Sequence, residues 1–313
     1  MKANVVHGAL FGVAIGDALG VPAEFTSRQR LQLEPITDFI GYKVHGQPPG
    51  TFSDDSSLTF CLAETICNGY DLQDLANRFI NWREYGYWTA GGDVFDVGFT
   101  TDAAINNLKH VTRPQLAGGY DVGSNGNGSL MRILPLLFYI KDFDIEKRYE
   151  TVSDVSSITH GHIRSVISCF YYLEYALELL KGSDKKTAYV NAAKTVAEVL
   201  VSRRVEQSEV DLFAPLLKED ISTYSVDAIP SSGYVLSTLK AAMYCFLTTE
   251  NYADATLMAV NLGDDTDTTG AVAGGLAGLY YGFNAIPEKW RNEVKKSINI
   301  KDLCNRLTEA TGM

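Results

Sequence analysis

The chain is short of positive charge: 27 Lys and Arg stand against 38 Asp and Glu over 313 residues, a formal net charge of −11. Its basic residues are scattered, so no stretch offers a surface able to neutralise many phosphates, and long nucleic acid is not an expected partner. Cysteine is also sparse. The five present (Cys61, Cys67, Cys169, Cys245 and Cys304) are odd in number, and several lie inside apolar helical patterns where a free thiol behaves as a small hydrophobe. A reducing compartment, the cytoplasm, is the expected location. Long apolar runs are missing too. The two candidates, residues 3–16 and 270–283, fall short of the roughly 20 residues a membrane helix needs and are rich in glycine. The first runs into Asp17 with no small-residue cleavage site, which argues against a signal peptide. No membrane partner is expected.

Alternating strand periodicity between hairpin turns is absent as well. What recurs is helical spacing: Leu58, Cys61, Leu62 and Thr65; Val166, Phe170, Leu173, Leu177 and Leu180; Tyr189, Ala192, Ala193, Val196 and Leu200; Leu236, Leu239, Met243 and Phe246. Hydrophobic residues make up 46% and charged residues 21%, the balance of an ordinary globular protein. No compositional shift divides the chain, so residues 1–313 are read as one all-α domain. Gly8, Gly12, Gly16 and Gly20 recur every four residues, and Ala271, Gly274, Gly275, Gly278 and Gly282 form a second small-residue face. Glycine costs about 1 kcal/mol against alanine inside a helix, so such stripes predict two central helices with closely packed backbones.

Two acidic motifs precede helical patterns. Ser53-Asp54-Asp55-Ser56 stands just before the pattern that starts at Leu58, and by itself reads as a helix cap. Gly263-Asp264-Asp265-Thr266-Asp267-Thr268 stands before the second glycine-rich helix, and its three carboxylates repel one another unless a cation compensates them. Carboxylate and hydroxyl oxygens without Cys or His suit Mg²⁺, Mn²⁺ or Ca²⁺ over Zn²⁺. An EF-hand is ruled out because its twelfth position, which requires a bidentate Glu, is Leu276. Two acidic loops, each anchored on a helix start, can instead converge on a pair of ions, as in two-metal hydrolysis.

Between them, Gly123-Ser124-Asn125-Gly126-Asn127-Gly128-Ser129 leads into Leu130-Met131-Arg132-Ile133, where successive backbone N–H groups at a helix start would form an anion-binding concavity. No Gly-Lys-Ser/Thr follows, so a P-loop is not supported. His160 and His162 lack a third soft ligand and read as structural or substrate-contacting imidazoles. His7, His45 and His110 carry no signal, and Asp96 alone is an ordinary polar loop residue. Substrate choice is expected in the loops at residues 85–93 and 231–234.

In order, these segments resemble the ADP-ribosylglycohydrolase family. The resemblance runs through Gly16-Asp17-Ala18-Leu19-Gly20 and Glu24, Phe52-Ser53-Asp54-Asp55-Ser56, Asp96-Val97-Gly98, Gly126-Asn127-Gly128-Ser129-Leu130-Met131-Arg132, Ser157-Ile158-Thr159-His160 and Asn261-Leu262-Gly263-Asp264-Asp265-Thr266-Asp267-Thr268. It implies a compact orthogonal helical bundle with two Mg²⁺ or Mn²⁺ ions held by Ser53, Asp54, Asp55, Asp265, Asp267 and Thr268. It further implies Glu24, Asp55 and Asp96 as the carboxylates near the reacting bond, Gly126, Asn127, Gly128 and Ser129 as a pyrophosphate cradle, and His160 as a contact to the ADP-ribose moiety. Three positions depart from the family pattern. Ser53 replaces a common threonine and keeps the hydroxyl. Asp264 replaces a usual glycine, adding negative charge beside the metals, and His162-Ile163 replaces a histidine–proline pair.

The implied reaction breaks the ribose C1 bond to a modified group through an oxocarbenium-like state, with ions binding ribose hydroxyls and activating water and a carboxylate moving the proton. The expected substrate is an ADP-ribosylated protein or small molecule. A metal-dependent nucleotide phosphohydrolase and a catalytically silent ADP-ribose-binding protein are the alternatives.

Overall fold

The structure, a computed structural model, describes residues 2–313, with side chains from Val5 onward. It is all-α, as the spacing predicts. In chain order the helices are α1 (Lys2–Gly20), α2 (Arg28–Leu33), α3 (Asp54–Cys67), α4 (Leu72–Tyr85), α5 (Phe99–Leu108), α6 (Leu136–Ile140), α7 (Ile145–Ser157), α8 (Ile163–Leu180), α9 (Lys185–Ser202), α10 (Gln207–Asp211), α11 (Ala214–Leu217), α12 (Val235–Thr248), α13 (Tyr252–Val260), α14 (Thr266–Tyr281), α15 (Glu288–Glu293) and α16 (Ser297–Thr311). Among the described residues the only β-type pairings are two isolated bridges, Gly119 with His160 and Gly126 with Tyr234. The four apolar stripes read from the sequence are the buried faces of α3, α8, α9 and α12, except that Leu180 at the end of α8 is only half-buried.

Local chemistry sets the helix ends. Asp184 caps α9 by accepting from the N–H groups of Lys186 and Thr187, and Gly86 closes α4 in the left-handed conformation at φ 67°, which costs glycine nothing. Ile163 opens α8 with His162 as its cap. The first helical position is where proline is favoured and other residues are tolerated, so the loss of a proline there leaves the helix start intact.

The centre of the fold is the antiparallel pair α1 and α14. A β-carbon on Gly8, Gly12 or Gly16 would lie 2.1, 2.2 or 2.0 Å from the carbonyl oxygen of Gly278, Gly274 or Gly270 respectively, and one on Gly20 would lie 2.3 Å from the Asp267 Cα. Contacts that short leave room for hydrogen only, so the stripe of α1 is there to let two backbones touch. The second stripe needs correcting: Gly275 faces Leu134 and Tyr172, and Gly282 lies beyond the helix as its C-cap at φ 84°. The expected length of the first apolar run is also corrected. The segment from Val5 to Ala23, 19 residues, is long and apolar enough to cross a membrane, and 89% of it is buried inside the fold. Asp17 interrupts the run in sequence but does not end the helix, because its carboxylate finds hydrogen-bond donors in α3.

Candidate active site

The pairing of α1 with α14 sets the C-terminal end of one beside the N-terminal end of the other, and α3 starts at the same place. Thr266 Oγ1 donates to the Gly20 carbonyl oxygen at 2.7 Å, closing the junction. Asp17, in the last turns of α1, reaches across to α3. Its Oδ1 accepts from the Ser53 N–H at 2.8 Å, and its Oδ2 accepts from the Ser56 N–H at 3.0 Å and the Ser56 hydroxyl at 2.5 Å. A carboxylate from another helix thus satisfies donors that the first turn of α3 leaves open. Ser53, the α3 cap, turns its hydroxyl to Asp55, donating to Oδ2 at 3.1 Å. Both acidic loops are therefore helix starts, as the sequence suggests, and they meet.

The meeting point is crowded with carboxylates. One oxygen each of Asp17, Asp55 and Asp267 lies within 4.8 Å of the others, and the three residues are buried. Asp54 is buried beside them, Thr268 Oγ1 reaches Asp55 Oδ2 at 3.4 Å, and Asp265 accepts from Asn127 Nδ2 at 2.8 Å. Asp55 Oδ1, Asp265 Oδ1 and Asp267 Oδ2 are buried with no hydrogen-bond partner. Burial, and then the neighbouring carboxylates, hold Asp54, Asp55 and Asp267 well above the usual carboxylate pKa range. Burial also raises Asp265, against the pull of its bond from Asn127, and pushes Asp17 up to about 6. Buried acids without partners cost several kcal/mol each unless protonated or matched by a cation. Carboxylate and hydroxyl oxygens converge here without thiolate or imidazole, the donor set of a hard divalent ion. The residues present therefore fit the expected metal centre.

A second group sits near the first. Glu24, His45 and Asp96 each place one ligand-type atom within 4.8 Å of the other two, and His45 Nε2 bonds Glu24 Oε2. Burial, with Asp96 and Asp265 adding to it, pushes Glu24 up to about 7 although His45 pulls the other way. The bond from Glu24 raises His45 in turn. Asp96 is held at φ 55°, a strained conformation for a residue other than glycine that turns up at functional sites.

Part of both groups lines a cavity of about 440 Å³. Its lining includes Glu24, Asp54, Asp96, Asp265 and Thr268, together with Gly126, Asn127, Gly128, His160, Phe25, Phe99 and Gly233. Gly126, Asn127 and Gly128, where a cradle is expected, line the cavity but do not stand at the start of an α-helix. Asn127–Ser129 is a single 3-10 turn, and the next α-helix begins only at Leu136. Asn127 anchors the turn: its N–H donates to the Gly233 carbonyl oxygen at 3.1 Å, and its amide bridges Thr238 and Asp265. Asp55, Asp267 and Ser53 are buried and are not part of the lining. Ser129 is turned away, its hydroxyl bonded to Ser156 Oγ at 3.0 Å and to the Cys169 sulfur at 3.4 Å. Loop 231–234 contributes Gly233 to the lining, whereas residues 85–93 are absent from it, Trp88 packing on Phe60 and bonding Glu64 instead.

Asp264 stands at φ 60°, which gives a physical reason for glycine at that position. Its backbone pairs with Phe25 and Thr26. The side chain is exposed and outside the cavity lining, so the expected extra charge beside the metals is at the surface. Three residues here have no role that the sequence alone assigns. Asp17 caps a helix remote from it in sequence, His45 sits in an irregular loop, and Arg132 is fully buried over the Phe79 ring at 4.8 Å.

Comparison with known proteins agrees with this fold. The family model described as ADP-ribosylglycohydrolase matches residues 2–313. The chain is 34% identical to the ADP-ribosylarginine hydrolase Tri1 of Pseudomonas putida, over 96% of this chain and 76% of that protein. It is 26% identical to the ADP-ribosyl-[dinitrogen reductase] glycohydrolase of Rhodospirillum rubrum, over 93% and 90%. A solved structure titled ADP-ribosylglycohydrolase-related protein complex superposes with a TM-score of 0.82 at 27% identity, covering 99% of both chains.

Proposed function

The chain belongs to the ADP-ribosylglycohydrolase family, and on that premise we propose that it hydrolyses the glycosidic bond between ADP-ribose and a modified side chain or small acceptor, releasing ADP-ribose. The observation that carries this reading is the set of three partnerless, buried carboxylate oxygens, on Asp55, Asp265 and Asp267, beside a cavity that the glycine-rich segment Gly126 to Gly128 also lines. Arginine is the first acceptor to test, because two relatives above 30% identity are named ADP-ribosylarginine hydrolases.

Ser53, Asp54, Asp55, Asp265, Asp267 and Thr268 would hold two Mg²⁺ or Mn²⁺ ions. When bound, such ions supply Lewis-acid contacts to the ribose hydroxyls and a water of lowered pKa. The protein's own groups do the rest. Gly126, Asn127, Gly128 and Ser129 would cradle the pyrophosphate, with the backbone N–H groups of Gly126, Gly128 and Ser129 as donors because that of Asn127 is taken by the Gly233 carbonyl oxygen, and His160 would contact the same moiety. Of the three proton-carrying candidates, Glu24 and Asp96 line the cavity while Asp55 is buried and not part of the lining. Glu24, near pKa 7 and bonded to His45, is matched to proton exchange at neutral pH. One domain, residues 1–313, would act in the cytoplasm on ADP-ribosylated proteins or small molecules, without long nucleic acid or membrane. The five unpaired cysteines and the acidic net charge support that setting.

The test is incubation with ADP-ribosylated arginine, ADP-ribosylated serine peptide and ADP-ribose, in Mg²⁺, Mn²⁺ or EDTA. The expected result is release of ADP-ribose that EDTA abolishes. AMP with ribose phosphate would identify a phosphohydrolase, and ADP-ribose binding without turnover a silent binder.

A further inference from the structure

Behind the cavity wall, Arg132, Thr159 and His160 form a chain of contacts in the protein interior. Arg132 Nη2 donates to Thr159 Oγ1 at 2.7 Å, and the same oxygen lies 2.8 Å from His160 Nδ1. All three residues are buried, Thr159 and Arg132 fully. The other edge of the imidazole faces the glycine cradle: a β-carbon on Gly126 would meet Nε2 at 3.4 Å, and one on Gly128 would meet Cε1 at 2.7 Å and Nε2 at 3.4 Å. The ring is also fixed through its backbone, since the His160 N–H donates to the Ser156 carbonyl oxygen and the His160 carbonyl oxygen accepts from the Ser156 hydroxyl.

Counting hydrogens along this chain decides the tautomer. A guanidinium can only donate, so Thr159 Oγ1 accepts from Arg132. The threonine hydroxyl then has one hydrogen to place, and among the described residues the one acceptor bonded to that oxygen is His160 Nδ1. If Nδ1 carried the proton, the Thr159 hydroxyl hydrogen would be buried without a partner, at a cost of about 1–3 kcal/mol. Nδ1 therefore accepts, and the ring hydrogen is on Nε2, at the cavity. Burial and the Arg132 charge also push the imidazole pKa down to about 3, which keeps the ring neutral.

We propose that Arg132 and Thr159 are positioning residues that lock His160 in the neutral Nε2–H form, so that it meets the substrate as a hydrogen-bond donor to an oxygen acceptor and not as a base or a cation. The tautomer follows from this chain's own contacts; only the identity of the acceptor, an oxygen of the ADP-ribose moiety, rests on the function proposed above. The role of Arg132 is then to orient a hydroxyl. Its charge lies over Phe79, and its Nε and Nη1 have no hydrogen-bond partner.

The test is long-range proton–nitrogen NMR of the full chain labelled at histidine, with the His160 signals assigned from a His160→Gln variant. Wild type is expected to show a protonated Nε2 and bare Nδ1 between pH 5 and 8. Thr159→Ser should keep that pattern, and Thr159→Val, which removes the hydroxyl at nearly equal volume, should lose it. Calorimetry with ADP-ribose should show Thr159→Val weakened by about tenfold, the loss of one hydrogen bond, with Thr159→Ser restored. A wild-type ring protonated at Nδ1, a doubly protonated ring at pH 7, or a Thr159→Val protein with an unchanged tautomer would each overturn the proposal. If the Nε2–H form is found but ADP-ribose does not bind, the tautomer lock stands and the ADP-ribose reading of the cavity fails.

Discussion

Asp17 and Ser56 are joined by a hydrogen bond of 2.5 Å from the Ser56 hydroxyl to Asp17 Oδ2, and the same oxygen takes the Ser56 N–H at 3.0 Å. This carboxylate holds the first turn of α3 against α1, and with it the direction of Asp54 and Asp55. Asp17→Asn keeps the shape but turns an amide N–H₂ toward donors. The expected cost is about 1–3 kcal/mol in urea unfolding at saturating Mg²⁺, together with weaker Mg²⁺ binding by calorimetry. Unchanged values of both would remove Asp17 from the support of the site.

Gly12 and Gly275 should respond differently to alanine. At Gly12 the added carbon meets the backbone carbonyl of Gly274 at 2.2 Å, whereas at Gly275 it meets the Leu134 side-chain end at 2.7 Å and the Tyr172 hydroxyl at 3.0 Å. Side-chain ends can move and a packed helix backbone cannot. Gly12→Ala is expected to lose at least about 3 kcal/mol, the upper range for overpacking, and Gly275→Ala about 1 kcal/mol. Thermal unfolding of the two variants side by side checks the order.

Asp267→Asn should separate stability from activity. Asp267 is buried among other acids and one of its oxygens has no partner, so in EDTA the neutral amide relieves repulsion and the melting temperature rises above wild type at pH 8. ADP-ribose release in Mg²⁺ is expected to fall by at least about 100-fold, the upper range for residues that only support a metal ligand. A variant that keeps full activity would sink the metal assignment.

The same acids set a pH dependence for the metal-free protein. Asp17 and Glu24 lie at about 6 and about 7 in the folded chain, raised by burial above ordinary values near 4. The folded state then binds more protons than the unfolded one, so this contribution is complete below pH 4 and disappears as pH rises through 6 and 7. Melting temperature in EDTA is expected to fall from pH 5.5 to pH 8, and saturating Mg²⁺ or Mn²⁺ to flatten that slope. A metal-free protein equally stable at both ends would contradict the buried cluster.

Much of this site was legible because its signals are local. Helical period exposes the buried faces of α3, α8, α9 and α12, and adjacent acids before a helix announce Asp54, Asp55, Asp265 and Asp267. The four-residue recurrence of Gly8 to Gly20 shows that a backbone approaches, though not which one. Long-range contacts have no such marker. Asp17 looks like an interruption of an apolar run until α3 is set beside it, and His45 gains meaning only when its loop folds onto Glu24. The side-chain direction of Ser129 is hidden for a related reason: a small polar residue in a turn carries no sign of which way it points, and packing aims it at Ser156 and Cys169.

The glycine contact between α1 and α14 joins positions some 250 residues apart in the chain. The acidic pocket is therefore split between two ends of a polypeptide that leaves the ribosome N-terminus first. Asp17, Asp54 and Asp55 emerge early and stay a half-set until Asp265 and Asp267 follow. Contacts of such separation carry a loop-closure cost before they yield any stability, which makes this junction a late event in folding. A nascent or truncated chain ending before α14 lacks Asp267 and Thr268, so the acidic pocket closes only once α14 has been made.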